Sequence, residues 1–475
     1  MSSDRLSELR QRVRELTVDI VRLTSERFRL VRSISEEKRA LNLPIEDLDA
    51  ERALKHHICR STSQGELDAD PDFALRITNL LIDESIKLQR GGGTQAGRTT
   101  TEFFTRALQL EREGHRVFHL ELGEPDFELA PELVDSVVKA LKEGRHKYTD
   151  PRGLYEVREA ICRHLEESKG ADVKPDEVLF TAGGRMALAW GIGAVVPPGG
   201  EVVVIEPAWP GYRQAVEFFG GKYVPVRTSS SDGWAPKLEE VRSAISPCTR
   251  AIVVNSPSNP TGRVVDEEEL KDIAKLAKEK GLWLISDEVY SDFVYDGKFK
   301  SAFGLNCKLI YVGSFSKSLG MTGFRAGYLV ASKEVISKAL KFQTATLTCA
   351  PEFVQLACCE ALRLKNYVAR NFEIMRARVE LSNKELSRAR ELEFLKPQGG
   401  FYVFPRFRDG RDAEAFASGL LSKEHVSVTP GVTFGEYRDC FRISLCTRTE
   451  DLLEGLMRMR AFIESAARNA GANTR

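Results

Sequence analysis

The sequence lacks the features that mark several other classes of protein. Its longest apolar run, 186–196, is far shorter than the ~20 residues of a membrane-spanning helix. No apolar segment follows the charged residues near the N-terminus, so we expect no secretory signal and a cytoplasmic location. The nine cysteines include no CxxC pair, which favours reduced thiols over a disulfide framework or a zinc site. We therefore predict neither membrane association nor a bound metal.

An excess of charge of either sign is also lacking. Lysine and arginine number 69, and aspartate and glutamate also number 69, so the formal net charge is zero. A chain without net charge has no long-range field that would draw it to nucleic acid or to an anionic membrane. At 475 residues the chain is long enough for three folding units of ~150 residues each.

Proline is scarce near the N-terminus, where residues 3–90 contain only Pro44 and Pro71. Apolar residues in this region recur at spacings of three and four, which is the period of an amphipathic helix. The pattern predicts an all-α domain at 1–90 with three helices, over 3–42, 46–59 and 71–90.

Beyond this region, short β-branched runs replace the long helical period. The glycine-rich stretch 91–98 has the composition of a flexible linker. Four apolar runs then alternate with amphipathic helical stretches, which predicts a mainly parallel sheet with helices on both faces. Further helices and two strand-like runs predict a smaller α+β lobe within the same domain, 99–475. The four apolar runs are 202–207, 251–257, 282–288 and 309–316.

The length of the first predicted helix has a consequence for assembly. A helix of ~40 residues is ~60 Å long, about twice the width of a compact domain of this size, so it needs a partner chain. Arg27 and Lys38 are eleven residues apart and therefore lie within ~20° on one face. Arg10 lies ~25 Å before Arg27 and ~100° around the helix, so it cannot join their site in the same chain.

Polar residues on the other two predicted helices are paired by spacing. Asp47 and Glu51 share a face at i, i+4, and Ser85 and Gln89 do the same. Together with the cations of the first helix they would form a positively charged pocket. The segments SELRQRVRELTVDIVRLTSERF, EEKRALNLPIEDLDAER and IDESIKLQ resemble the all-helical chorismate mutase family across residues 5–90.

The resemblance implies an intertwined homodimer in which Arg10 reaches the site of the other chain. Arg27 and that Arg10 would bind the two carboxylates of chorismate. Lys38 and Gln89 would donate to the ether oxygen, on which negative charge grows as the C–O bond breaks. The remaining polar residues would bind the hydroxyl group and the ring: Asp47, Glu51 and Ser85.

The second half of the chain carries six short motifs. GSFSKSLGMTGFRAGY (313–328) follows an apolar run and places Lys317 at a strand end, where α/β proteins carry their chemistry. In this order along the chain, the motifs resemble the class I, fold type I, pyridoxal-phosphate aminotransferases across residues from about 100 to 467. The other five motifs are LELGEPDF (120–127), FTAGGRMAL (180–188), NSPSNPTG (255–262), SDEVY (286–290) and FRIS (441–444).

This second resemblance implies pyridoxal 5'-phosphate as cofactor and assigns the residues around it. Lys317 would form the Schiff base and act as general base, and Asp287 would keep the pyridine nitrogen protonated. Tyr290 and Asn259 would bind the phenolic oxygen, and Trp209 of EPAWPGY would stack on the ring. The phosphate would be held by Ser314, Ser316, Arg325, the amides of Gly183 and Gly184, and Tyr148 of the partner subunit.

Two arginines would bind the amino-acid and 2-keto-acid substrates. The resemblance implies that Arg442 takes the α-carboxylate as a bidentate fork, with the Gly123 backbone beside it. Arg185 follows Gly184 at a helix start, where relatives that act on dicarboxylates carry a basic residue for the distal carboxylate. A surface arginine near the phosphate is the alternative for Arg185.

The leading hypothesis is a bifunctional enzyme of aromatic amino-acid biosynthesis. It would convert chorismate to prephenate and transfer an amino group from glutamate or aspartate to prephenate or an aromatic 2-keto acid. The chorismate mutase family usually carries arginine where this chain has Ala50, so either Arg52 or another cation compensates, or mutase activity is weakened. The first alternative is therefore an aspartate aminotransferase with a non-catalytic helical dimerisation or sensing domain.

A transcriptional regulator dependent on pyridoxal phosphate is the alternative from another class. Residues 1–90 hold 16 lysines and arginines against 17 aspartates and glutamates. The first predicted helix is also too long for a helix-turn-helix motif. Both features disfavour DNA binding.

Overall fold

The computed structural model describes residues 3–41, 43, 47–89, 100–297 and 299–472. The chain divides into two compact units. The first is Met1–Ala96 with Ser246–Cys248, and the second is Gly97–Ile245 with Thr249–Arg475. The predicted linker 91–98 lies outside the described residues. Within the described ranges, no helix is long and apolar enough to cross a membrane.

The first unit is built from three helices, as predicted for an all-α region. Helix α3 packs against both other helices, and Val31, Leu75 and Ile82 are buried between them. The middle helix begins two residues later than predicted, because the Asp47 carboxylate accepts the backbone N–H of Ala50 at 3.0 Å and caps it. The three helices are α1 Ser3–Ala40, α2 Leu48–Ser63 and α3 Pro71–Gln89.

The second unit alternates strands and helices. Its strands are β1 Phe118–His119, β2 Val178–Thr181, β3 Glu201–Glu206, β4 Lys222–Arg227, β5 Thr249–Asn255, β6 Trp283–Asp287, β7 Lys308–Ser314, β8 Gly327–Val330, β9 Leu392–Glu393, β10 Tyr402–Val403, β11 Arg406–Phe407, β12 Val426–Ser427, β13 Thr429–Pro430 and β14 Phe441–Ser444. Its α-helices are α4 Thr100–Arg112, α5 Pro131–Lys142, α6 Tyr155–Lys169, α7 Gly184–Val195, α8 Gly211–Phe218, α9 Leu238–Ala244, α10 Glu267–Glu279, α11 Lys333–Thr346, α12 Glu352–Ala361, α13 Lys365–Leu386, α14 Ala413–Glu424 and α15 Thr449–Ala472.

Seven strands form the central sheet, in the order β2-β8-β7-β6-β5-β3-β4. All neighbouring pairs from β7 to β4 are parallel, whereas β8 runs antiparallel to both β2 and β7. The predicted mainly parallel sheet is therefore confirmed. The four predicted apolar runs correspond to β3, β5, β6 and β7, and the sequence pattern did not predict β2, β4 and β8.

Helices cover both faces of this sheet. Val202 and Val204 of β3 pack against residues of α7, α8 and α11 on one face. Val203 points the other way and packs against residues of α9 and α10. Strands buried on both faces are continuous apolar runs rather than alternating ones, which is why these strands were visible in the sequence.

The smaller lobe combines short strands with helices, as predicted. Its sheets pair β10-β14-β13, β1 with β12 and β9 with β11. A separate core joins residues of α4, α13, α14 and α15 to these strands. In the central sheet, the carboxyl ends of β5, β6 and β7 meet at one edge, and this edge carries Asn259, Asp287 and Lys317.

Candidate active sites

In the first unit, the best-defined site residue is Arg27 on α1. Its Nη1 donates to the carbonyl of Leu81 at 2.9 Å and to the hydroxyl of Ser85, both on α3. Burial lowers the pKa of the Arg27 guanidinium from its ordinary value. The structure thus brings together two residues that the sequence assigned to one pocket.

The other predicted residues of this pocket have different surroundings. Gln89 is buried, and its Oε1 has no hydrogen-bond partner among the described residues. Lys38 and Glu51 are half-buried. Asp47 uses its carboxylate to cap α2, a role that its position before a helix could have indicated.

Two further features of this unit bear on the site. Lys55 on α2 is only 2 % exposed, and the sequence analysis missed it, although its spacing of four from Glu51 was an available signal. Arg10 is exposed on α1, and so are the apolar side chains around it, including Leu9 and Val13.

In the second unit, Lys317 lies in the loop after β7. Its Nζ donates to the carbonyl of Gly123 at 2.8 Å and lies 5.8 Å from the ring centroids of both Tyr290 and Phe401. Burial lowers the pKa of the Lys317 amine. A lowered pKa favours the neutral, nucleophilic amine at ordinary pH.

Asp287 is the last residue of β6 and is buried beside this lysine. The Tyr212 hydroxyl donates to Oδ2 at 2.7 Å, and the backbone N–H of Val289 donates to Oδ1 at 3.3 Å. Burial raises the pKa of Asp287 to about 6. A carboxylate held in this way is suited to pair with a cationic nitrogen of a ligand.

A line of hydrogen bonds leads from the loop after β5 toward the smaller lobe. Asn259 Nδ2 donates to the Tyr290 hydroxyl at 3.4 Å, and the hydroxyls of Tyr290 and Tyr402 are 3.3 Å apart. The backbone N–H of Asn259 also donates to Asn255 Oδ1 at 2.8 Å, which fixes the loop. The Asn259 side chain is thereby oriented from both sides.

Arg442 lies on β14 and is 4 % exposed. Its Nη1 donates to Asn259 Oδ1 at 2.9 Å, its Nη2 donates to the Glu121 carbonyl, and its guanidinium lies 4.5 Å from the Tyr402 ring centroid. Its Nε has no hydrogen-bond partner among the described residues. A buried guanidinium that donates to neutral oxygens is suited to bind the carboxylate of a ligand.

The start of α7 has the form of an anion site. Gly183 has a φ of 86° and precedes the helix, and a Cβ at this position would lie 2.5 Å from Arg325 Nη2. The backbone N–H of Ser316 donates to Ser314 Oγ at 3.1 Å, and Ser314 lies beside Gly184. A helix N-terminus, a guanidinium and hydroxyl groups therefore converge, as a phosphate requires.

Arg185 and Trp209 pack together beside this anion site. The Arg185 guanidinium lies 4.5 Å from the Trp209 ring centroid, and Nη1 donates to Gln214 Oε1 at 3.1 Å. Burial and the charge of Arg325 lower the pKa of Arg185. By contrast, Tyr148 is 86 % exposed on the surface of the single chain.

Comparison with known proteins matches two stretches of the chain to two families. The family described as aminotransferase class I and II matches residues 115–459, which is most of the chain. The chain belongs to the class I and II aminotransferases. The family described as chorismate mutase type II matches residues 9–90. The two resemblances found in the sequence are therefore confirmed.

Relatives of this aminotransferase align over most of their own length. The aspartate aminotransferase of Thermotoga maritima is 36% identical over 372 residues, covering 77% of this chain and 96% of the relative. The aspartate/prephenate aminotransferase of Thermus thermophilus is 35% identical over 364 residues, covering 74% and 92%. Among solved structures, the aromatic aminotransferase of Pyrococcus horikoshii matches with a TM-score of 0.71 at 34% identity, covering 76% and 99%.

Sequence reasoning missed two tyrosines that orient groups in the aminotransferase site. Tyr212 binds the Asp287 carboxylate, and its signal was its position as the last residue of EPAWPGY. Tyr402 lies between Tyr290, Arg442 and the chain at Gly123, where a Cβ would lie 1.7 Å from the Tyr402 hydroxyl oxygen. Glycine is therefore required at position 123.

Proposed function

We propose that this chain is a bifunctional enzyme that rearranges chorismate to prephenate and transaminates prephenate or an aromatic 2-keto acid. The observation that carries the proposal is the pairing of two cationic groups in the aminotransferase site. Arg442 is buried and its Nε has no hydrogen-bond partner among the described residues, and Arg185 lies over Trp209 beside the anion site. Two cations suit a dicarboxylate, and prephenate is a 2-keto acid with two carboxylates.

The residues present fit pyridoxal 5'-phosphate. The phosphate would bind at the start of α7, between Ser314, Ser316 and Arg325. When bound, the cofactor supplies an electron sink for the substrate's α-carbon. Asp287 and Tyr212 would hold the ring nitrogen and its proton, Asn259 and Tyr290 would donate to the phenolic oxygen, and Trp209 would contact the ring face.

The protein's own groups then bind the substrate and move its proton. Arg442, held by Asn259 and the Glu121 carbonyl, binds the α-carboxylate beside Gly123. The Lys317 amine, whose pKa burial lowers, removes the proton from the substrate's α-carbon and later returns it. Glutamate or aspartate donates the amino group.

Arg185 would bind the second carboxylate of aspartate, glutamate or prephenate. Its guanidinium already lies over Trp209, and its one side-chain acceptor given by the structure is the neutral Gln214. The relatives from Thermus thermophilus and Aquifex aeolicus carry the name aspartate/prephenate aminotransferase, the latter as probable. If the amino donor and the keto-acid acceptor are both dicarboxylates, the same two arginines can bind either of them in one site.

The mutase site would be completed by a second copy of the chain in a homodimer. Arg27 and Ser85, which are hydrogen-bonded to each other, would form one half of the pocket with Lys38 and Gln89. The Arg10 region of a partner would supply the other carboxylate ligand. A row of exposed apolar side chains on α1 supports a helix partner there: Leu6, Leu9, Val13, Leu16, Ile20 and Leu23. The exposed Tyr148 would reach the phosphate of a second subunit in the same homodimer.

One experiment separates this function from its alternative. Purified protein is assayed for loss of chorismate, and then with prephenate, phenylpyruvate and oxaloacetate as amino acceptors. Turnover of chorismate and of prephenate supports the proposal. Turnover of oxaloacetate without chorismate loss supports the aspartate aminotransferase with a non-catalytic helical domain, which the Ala50 departure favours.

A further inference from the structure

The backbone segment 118–123 contacts both Lys317 and Arg442. The Gly123 carbonyl accepts from Lys317 Nζ at 2.8 Å. The Glu121 carbonyl accepts from Arg442 Nη2 and from Thr429 Oγ1, the latter at 3.3 Å. The position of this segment therefore sets the position of the guanidinium.

Regular backbone pairing holds this segment only as far as Leu120. The N–H groups of Phe118 and Leu120 donate to the carbonyls of His425 and Ser427 at 2.8 and 2.9 Å. The Leu120 carbonyl accepts from the Ser444 N–H at 2.7 Å. Strand β1 ends at His119, so the carbonyl that binds Arg442 lies beyond the paired strand.

The side chain of Glu121 supplies a further attachment at this point. It is 0 % exposed, and its Oε1 lies 2.8 Å from His119 Nδ1. Its Oε2 has no hydrogen-bond partner among the described residues. His119 Nε2 lies 3.2 Å from Glu111 Oε1 on α4, so the buried carboxylate is linked through the imidazole to the α4 helix.

Charge makes this link strong. The hydrogen bond with Glu121 raises the pKa of His119 to about 9 against the opposing effect of burial, and Glu111 adds to the rise. On the neighbouring strand β12, the residues that pair with β1 are Val426 and Ser427, and neither carries a charge. A fully buried carboxylate is costly when its cationic partner is removed.

We propose that Glu121 and His119 are positioning residues for substrate-carboxylate binding, because their ion pair holds the residue 121 carbonyl against Arg442. The inference rests on the carboxylate-binding role proposed above for Arg442. It assigns no contact with substrate to either residue.

The test compares Glu121→Gln and His119→Gln with the control Glu113→Gln, which alters a glutamate whose partner is Gln109. Each is prepared as the cofactor-loaded enzyme, and the dissociation constant of succinate, a dicarboxylate without an amine, is measured by calorimetry. We expect Glu121→Gln to weaken succinate binding and raise the KM of the amino donor by ~10-fold, the scale of one hydrogen bond to a charged group. The kcat should change much less, and the control should match wild type.

A pH series gives a second readout that a merely structural role would not move. As the pH rises through about 9, His119 loses its proton, so wild-type affinity for succinate should fall relative to that of His119→Gln. Parallel pH curves for the two proteins would contradict the inference. The pH series still tests the inference if Glu121→Gln does not fold. It uses His119→Gln, and His119 is partly exposed, so its replacement disturbs the core less.

The variant Arg442→Ala separates failure of this inference from failure of the proposed function. If Arg442→Ala binds succinate as wild type does, the role of Arg442 is wrong and the inference fails with it. If Arg442→Ala loses binding while Glu121→Gln and His119→Gln keep it, only the positioning role is overturned.

Discussion

The two units of the chain differ in how much of a site one chain supplies. In the aminotransferase unit, Lys317, Asp287, Asn259 and Arg442 come from separate elements, and each is held by a hydrogen bond to another group of the same chain. In the helical unit, one chain links Arg27 to α3 and leaves the first turns of α1 exposed. The strand ends of a parallel sheet lie at one edge, so their side chains meet within one chain. The far end of a long helix extends beyond its own domain, so its side chains need a partner chain to complete a site.

The exposure of apolar side chains on α1 shows how much of this helix one chain leaves uncovered. Val13 is 64 % exposed, and apolar neighbours one and two turns away are similarly open. Burial of apolar surface stabilises by ~25 cal/mol per Å², so covering this face in a dimer would contribute substantially to stability. We therefore predict that loss of Lys317 affects the site of its own chain, whereas loss of Arg10 affects the site of the partner chain.

The largest effect is expected for Lys317→Ala. Removal of the amine that we propose moves the substrate proton should lower transamination by up to ~10⁴-fold. Chorismate turnover should stay close to that of wild type, since Arg27 and Ser85 lie in the other unit. Steady-state assays of both reactions measure this, with the exposed Lys338→Ala on α11 as control. Transamination at the control's rate would contradict the assignment of Lys317.

The next effect concerns Arg10 and Arg27. Each single alanine variant should lower chorismate turnover by ~10²–10³-fold, the scale of one preorganised donor. Mixing the two variants after unfolding and refolding should restore on the order of a quarter of wild-type activity, since random pairing yields hybrids with one intact site.

The control for this experiment is Arg29→Ala, which alters an exposed arginine two residues from Arg27. It should retain activity alone. If the mixture of Arg10→Ala and Arg27→Ala stays as inactive as its components, Arg10 does not act between chains.

A smaller, selective effect is expected for Arg185→Ala. Loss of the second cation should raise the KM of aspartate, glutamate and prephenate by ~10-fold or more, and that of phenylalanine much less. The ratio of kcat/KM values across the four substrates measures this, and Arg242→Ala on α9 is the matched control. Equal losses for all four substrates would show that Arg185 does not bind the second carboxylate.

Within the aminotransferase unit, some site residues could be predicted from the sequence and others could not. Lys317 and Asp287 were identifiable because each follows a continuous apolar run that becomes a buried strand. The contact of Tyr212 with Asp287 could not be predicted in this way, because the two residues are 75 positions apart and the contact depends on where α8 begins. The ion pair of Glu121 was hidden for a related reason, since β1 has two residues and gives no periodic signal.

The smallest effect is a pH dependence of stability. The pKa of His119 is raised from an unfolded value of ~6.5 to about 9, so its contribution is complete below pH 6.5 and is lost as the pH rises through 9. His119→Gln should therefore lower the thermal unfolding midpoint by about 2–4 °C at pH 6, and by less at pH 10. Equal differences at the two pH values would show that His119 carries no such charge.

The most direct test of two cooperating activities on one chain uses a single reaction mixture. Purified wild-type protein receives chorismate, isotope-labelled aspartate and pyridoxal phosphate, and mass spectrometry follows the label. We predict labelled, aminated prephenate from wild type, accumulation of prephenate with Lys317→Ala, and unchanged chorismate with Arg27→Ala. Label that stays in aspartate, or chorismate that wild-type protein leaves intact, would contradict it.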